Sequence, residues 1–163
     1  MENKKKLVVF YSYTGHTKMI AERIQKELGC DILELKPKIP YSTDYQTVVD
    51  DEQNSEASNH IPQIQDIDVD LSNYEEIILG FPTWWYRPCP VVRAFLVNNN
   101  LSGKVIVPFA TNAGWLGRSF EEIKKLCPDS KVEKQMNIVF SQDYEENRVI
   151  TSEKEIENWI KSI

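Results

Sequence analysis

The sequence predicts a doubly wound α/β domain, with a five-stranded parallel sheet in the order 2-1-3-4-5 and helices on both faces. Two observations predict it. Short, continuous apolar runs alternate with segments of helical periodicity along the whole chain. The first run also leads directly through a hydroxyl-rich turn into an amphipathic helix, which is the βα unit that carries ligand sites at the carboxyl ends of such sheets. At 163 residues, the chain is expected to form one domain over 1–163 with a full core.

Residues 7–11 (LVVFY) read as a strand buried on both faces. In the helix that follows, Ile20, Ile24 and Leu28 recur at i, i+4 and i+8 with Ala21 beside them, and Lys18, Glu22, Arg23, Lys26 and Glu27 fall outside this stripe. Residues 30–36 (CDILELK) form the second predicted strand, ended by Pro37, and residues 75–81, 104–110 and 132–141 the next three. Helices are expected at 91–97, after Pro90, and at 118–126, where Phe120, Ile123 and Leu126 are apolar. The last helix opens on Ser152-Glu153-Lys154-Glu155, an S-x-x-E capping box, and buries Ile156, Trp159, Ile160 and Ile163. The polar segment 37–72 is expected to be a long surface excursion. Tyr45, Val48 and Val49 allow it one short helix before the run DDEQNSEASNH at 50–60. Such an excursion either covers part of a ligand or partner site or is a solvated connection.

Composition limits the function. A net charge of -6 argues against nucleic acid and anionic membrane as partners, and favours encounter with a basic surface. No apolar run is long enough for a membrane span, and the one after the lysines at 4–6 ends by Tyr11, so a cytoplasmic protein is expected. Cys30, Cys89 and Cys127 are widely spaced with no C-x-x-C, and only His16 and His60 could join them, so neither a disulfide framework nor a metal site is expected.

The first turn, Ser12-Tyr13-Thr14-Gly15-His16-Thr17, lies where a helix start leaves amides unpartnered and places the positive end of its dipole. An anion is stabilised there, and Ser12, Thr14 and Thr17 add hydroxyls. The turn has neither the lysine of a Walker loop nor the glycines of a dinucleotide fingerprint, and suits a single terminal phosphate held by neutral donors. The alternative is an ordinary βα turn with Thr17 as helix N-cap. S-Y-T-G-H-T resembles the [TS]-x-T-G-x-T phosphate loop of the flavodoxin family, whose members bind FMN.

Two more loops are predicted at strand carboxyl ends: P-T-W-W-Y-R-P-C-P at 82–90 and T-N-A-G-W-L-G at 111–117. They hold three of the four tryptophans, residues suited to stacking on a flat heterocycle for about 0.5–1.5 kcal/mol beyond area burial. Trp84 and Trp85 are adjacent and cannot both stack equivalently, so one is expected to pack inward. The first of these loops resembles the P-x-W-W-x-x-x-P flavin loop of a bacterial flavodoxin-like branch, and F-A-T-N-A-G-W-L-G resembles that branch's third, glycine-rich flavin loop. The resemblance covers nearly the whole chain. It implies noncovalent FMN, with the phosphate at Ser12, Tyr13, Thr14, Gly15, His16 and Thr17. The ring is then expected near Pro82, Thr83, Trp84, Trp85 and Tyr86, and near Thr111, Asn112, Ala113, Gly114, Trp115 and Gly117. The third loop departs from the common T-S-G-G-S-G type: it has Asn112, Ala113 and Trp115, looks one residue shorter and has no acidic cluster.

His16 is a candidate phosphate partner or a solvent-facing loop residue, Arg87 a candidate anion contact or a solvated rim residue, and Cys89, between two prolines, a packed thiol rather than a redox centre. A receiver or cysteine-phosphatase domain is excluded, because Phe10-Tyr11-Ser12 and Gly80-Phe81-Pro82 lack the required acids and the first loop lacks C-x-x-x-x-x-R. Two functions stay open: an FMN electron carrier serving a redox partner protein, without a catalytic residue, and an FMN-dependent reductase passing electrons from NAD(P)H to a quinone or similar acceptor.

Overall fold

The computed structural model describes residues 5–57, 61–143 and 148–163. The chain begins with β1 (Lys6–Phe10), α1 (His16–Leu28), β2 (Asp31–Glu34) and α2 (Tyr45–Ala57). It continues with β3 (Glu76–Trp84), β4 (Arg87–Pro88), α3 (Pro90–Asn98) and β5 (Val105–Asn112), then α4 (Ser119–Leu126), β6 (Lys131–Val132), β7 (Met136–Val139) and α5 (Glu153–Ser162).

The parallel strands run in the order β2-β1-β3-β5-β6, with β7 also against β5, so the expected 2-1-3-4-5 sheet is present. Seven strands are seen rather than five, for two reasons. The short β4 folds back antiparallel on β3, and the expected last strand is divided. Between the pairs Ile106↔Val132 and Phe109↔Met136, β5 advances three residues while its neighbour advances four, so one extra residue is accommodated as a bulge. Lys134, at φ 54, lies in this break. Its carbonyl is taken up by the Trp159 indole N–H at 2.6 Å, so the bulged backbone group is satisfied by α5.

Alternation along the strands sets the two layers. Leu7, Val9 and Tyr11 join Ile77, Leu79, Phe81, Val92, Phe95 and Ile123 on the side of α3 and α4. Val8 and Phe10 join Ile20, Ile24, Ile78, Phe109, Ile156 and Trp159 on the side of α1 and α5. Gly80 has no side chain because the Phe109 ring lies across it; an added Cβ would stand 2.2 Å from Phe109 Cζ. Ser152 caps α5 as expected, its Oγ accepting from the Glu155 amide at 3.1 Å, which is the serine half of a capping box.

Two strand ends lie beyond their expected limits. β3 continues to Trp84 because it keeps pairing, first with β5 through Pro82↔Thr111 and then with β4, so Pro82, Thr83 and Trp84 are strand residues rather than loop residues. β5 likewise includes Thr111 and Asn112. The excursion after β2 is closed at its base, where Lys38 N donates to Gln63 O at 2.9 Å and Gln65 N to Lys36 O at 2.8 Å. Its helix, α2, has 13 residues and takes up most of the polar run read as loop, whose last residues, 58–60, lie outside the described part.

Candidate functional site

A cleft of about 270 Å³ opens at the carboxyl ends of β1, β3, β5 and β7. This is the side of the sheet where the chain reverses its winding between β1 and β3, the usual ligand position in a doubly wound fold.

The first loop forms one end. Ser12 Oγ accepts from the amides of Gly15 and Lys18, at 3.2 and 3.1 Å, so Ser12 shapes the loop from within. Gly15 is the N-cap of α1 at φ 100, which favours glycine; Thr17 is already helical and is not the cap. Thr17 is buried, and its hydroxyl lies 2.7 Å from that of Thr111 at the end of β5. Thr14 remains exposed on the cleft wall with Tyr13 and His16. The His16 ring stacks on Phe140, with centroids 4.1 Å apart and planes inclined by 5°.

Trp84 is the tryptophan that packs inward. Its ring meets Tyr41 at 5.1 Å, Tyr13 at 5.9 Å and Tyr11 at 6.1 Å, all near edge-to-face. Trp85 and Tyr86 form the two-residue connection to β4 and are 39% and 59% exposed at the cleft mouth. Trp115, also 39% exposed, lines the cleft from the third loop. Asn112 shapes that loop: its Oδ1 accepts from the amides of Gly114 and Trp115 at 2.9 and 3.2 Å, while its Nδ2 donates to Asn137 Oδ1 at 2.8 Å. Thr83, Thr111 and Ala113 complete this wall with Pro82. Ser12, Gly15, Thr17, Gly114 and Gly117 fall outside the cleft lining.

Sequence reasoning missed Tyr45, Val48, Val49 and Glu52 of α2, together with Phe140 and Ser141 after β7. The four α2 residues are spaced i, i+3, i+4 and i+7, one helical stripe, and that spacing was the available signal. Glu52 was hidden because a carboxylate does not read as part of an apolar stripe, although it is 8% exposed.

Burial dominates the electrostatics under this wall. The Tyr11 and Tyr41 phenols are pushed well above the ordinary tyrosine range, chiefly by burial, and for Tyr41 the Glu52 charge adds to this. The Cys89 thiol, fully buried, is pushed up to about 12 by the same desolvation, against the opposing effects of the Val92 amide and the Arg93 charge. Cys89 is therefore a packed, protonated residue at the start of α3. Arg93 is itself 2% exposed and donates from Nε to Pro88 O at 3.1 Å. Arg87 lies 3.5 Å from Glu122 and is held by that pair at the rim.

A family model described as flavodoxin matches residues 5–163. The chain belongs to the flavodoxin family. Among solved structures, a protein described as a flavoprotein from Bacteroides eggerthii is 29% identical to this flavodoxin-family chain, with a TM-score of 0.77 over 99% of this chain and 98% of the other. A flavoprotein of Lactobacillus acidophilus, solved in complex with FMN, is 26% identical with a TM-score of 0.73, covering 83% of this chain and 93% of its own. An uncharacterized protein of Archaeoglobus fulgidus is 33% identical over 89 residues, 53% of this chain and 52% of that protein. The chain thus spans about half the length of this curated relative.

Proposed function

We infer that this flavodoxin-family protein binds FMN in the cleft and acts in electron transfer. The observation that carries the reading is the meeting, in one cleft at the strand carboxyl ends, of a hydroxyl-bearing helix start and an aromatic wall. The Lactobacillus acidophilus flavoprotein, solved with FMN and similar over most of the chain, supports the same ligand.

The residues fit the group. Thr14 and the first turn of α1 would hold the phosphate, where the helix dipole and the Thr14 hydroxyl stabilise an anion. Trp85, Tyr86 and Trp115 would hold the flat ring, with Trp84 backing the wall. When bound, FMN supplies the redox chemistry and the protein supplies binding, orientation and electrostatics. Asn112 orients the third loop, and the apolar ring walls exclude water. None of these roles requires a catalytic side chain.

With a net charge of -6, the partner of this carrier is a protein with a basic docking surface. We place the protein in the cytoplasm on the strength of its three free thiols. The experiment is direct: the purified protein with FMN should turn over NAD(P)H and a quinone only after a separate reductase is added. Rapid turnover without one would make it the NAD(P)H-dependent reductase instead.

A further inference from the structure

Trp85 and Tyr86 have φ values of 53° and 64°, so two bulky residues in succession occupy the left-handed region. They connect Trp84 to Arg87 as a two-residue hairpin with the handedness of a type I′ turn, a geometry that strongly favours Asn-Gly. Nothing local in Trp-Tyr favours this shape, so the surrounding structure must impose it.

The third loop imposes it. Gly117, at φ 59, lies against Tyr86 so closely that an added Cβ would stand 2.3 Å from Tyr86 Cβ, 2.5 Å from its carbonyl oxygen and 2.7 Å from its Cα. The next amide, Arg118 N, donates to Tyr86 O at 3.0 Å. Two of the three atoms that Gly117 approaches are backbone, so no rotamer change could make room for a side chain there. Gly117 is absent from the cleft lining, whereas Trp85 and Tyr86 both belong to it.

We propose that the Trp85-Tyr86 turn is a strained aromatic platform for a flat ring ligand, and that Gly117 is the positioning residue that holds it in shape without touching the ring. The inference rests on the reading of the cleft as a flavin site. It also accounts for the presence of two aromatic residues where a stable turn would carry asparagine and glycine: the rings bind the ligand, and the strain is offset by packing against the third loop.

Gly117→Ala tests it, with FMN and riboflavin titrated in parallel. Because the turn acts on the ring end of the cleft and leaves the phosphate end intact, both affinities should fall by a similar factor, about tenfold or more. At saturating FMN, the visible circular dichroism of the bound flavin should also differ from wild type, which a mere loss of fold stability would not cause. Affinities within about twofold of wild type, or an unchanged spectrum at saturation, would overturn the proposal. Tyr86→Gly decides the matter if Gly117→Ala does not fold. Removing the side chain at φ 64 should raise the melting temperature while weakening both flavins; a lower melting temperature or unchanged flavin affinity would overturn it. Failure of the wild-type protein to bind either flavin would overturn the cleft reading along with the proposal, whereas wild-type binding with unaffected variants would overturn the proposal alone.

Discussion

Thr17 Oγ1 and Thr111 Oγ1 lie 2.7 Å apart, joining the start of α1 to the end of β5 across 94 residues of chain. Both residues are buried, at 1% and 3% exposure, so each hydroxyl depends on the other for its hydrogen bond. The contact couples the loop assigned to phosphate with the strand that begins the third loop.

Replacing one partner should therefore cost more than replacing both. Thr17→Val leaves the Thr111 hydroxyl buried without its partner and should destabilise by about 1–3 kcal/mol. Adding Thr111→Val should recover part of that loss. Urea unfolding of the wild type, the two single variants and the double variant measures the coupling as a double-mutant cycle. Additive losses would mean that the two hydroxyls do not support one another.

Thr14 presents the opposite case, an exposed hydroxyl on the cleft wall. Thr14→Ala should leave stability within about 0.5 kcal/mol of wild type. It should weaken FMN clearly more than riboflavin, which has no phosphate. Parallel titrations of the two flavins check this, and equal losses would remove the phosphate from the first loop.

High pH should unfold the protein through its buried acids. The Cys89 thiol is raised from an ordinary 9.0 to about 12, and the Tyr11 and Tyr41 phenols are raised further. In each case the unfolded chain releases its proton first, so the native state binds more protons and stability falls as pH rises. The stabilisation is complete below about pH 9 and is lost as pH climbs through the Cys89 value near 12. Denaturant midpoints between pH 8 and 11 should decline accordingly, and a flat profile would contradict the burial of these groups. Thiol reagents at pH 8 should label the half-buried Cys30 before the buried Cys89 and Cys127.

Gly80→Ala should destabilise the sheet, because its Cβ would enter the Phe109 ring at 2.2 Å. Overpacking of this kind costs about 1–3 kcal/mol. Gly80→Ala combined with Phe109→Leu should be less damaging than the sum of the two singles, as thermal melts of the four proteins would show.

The parts of this fold that were legible in the sequence are those whose signals are local. The first strand, turn and helix were readable because an apolar run, a hydroxyl-rich turn and a stripe at Ile20, Ile24 and Leu28 follow one another without interruption. Ser152 announced α5 by its spacing to Glu155. The Trp85-Tyr86 turn was illegible because its left-handed geometry comes from Gly117, 31 residues beyond Tyr86, and from no turn residue of its own. The bulge at Lys134 carries neither glycine nor proline and is satisfied through Trp159 from the last helix. In α2, Glu52 interrupts the apolar character of the stripe it belongs to, so a 13-residue helix read as a short one. Of the residues that line the cleft, those on the three loops were legible in the sequence, whereas those of α2 and those after β7 were not. Ser12, Asn112 and Gly117 support the loops that Thr14, Trp85 and Trp115 present to the cleft.

The most direct test is a titration of FMN into the purified apo-protein, followed by visible absorption, with NADPH added anaerobically at saturation. The account predicts tight, stoichiometric FMN binding and no bleaching by NADPH until a separate reductase is present. Rapid bleaching by NADPH alone would contradict the carrier assignment, and absence of FMN binding would contradict the account at its centre.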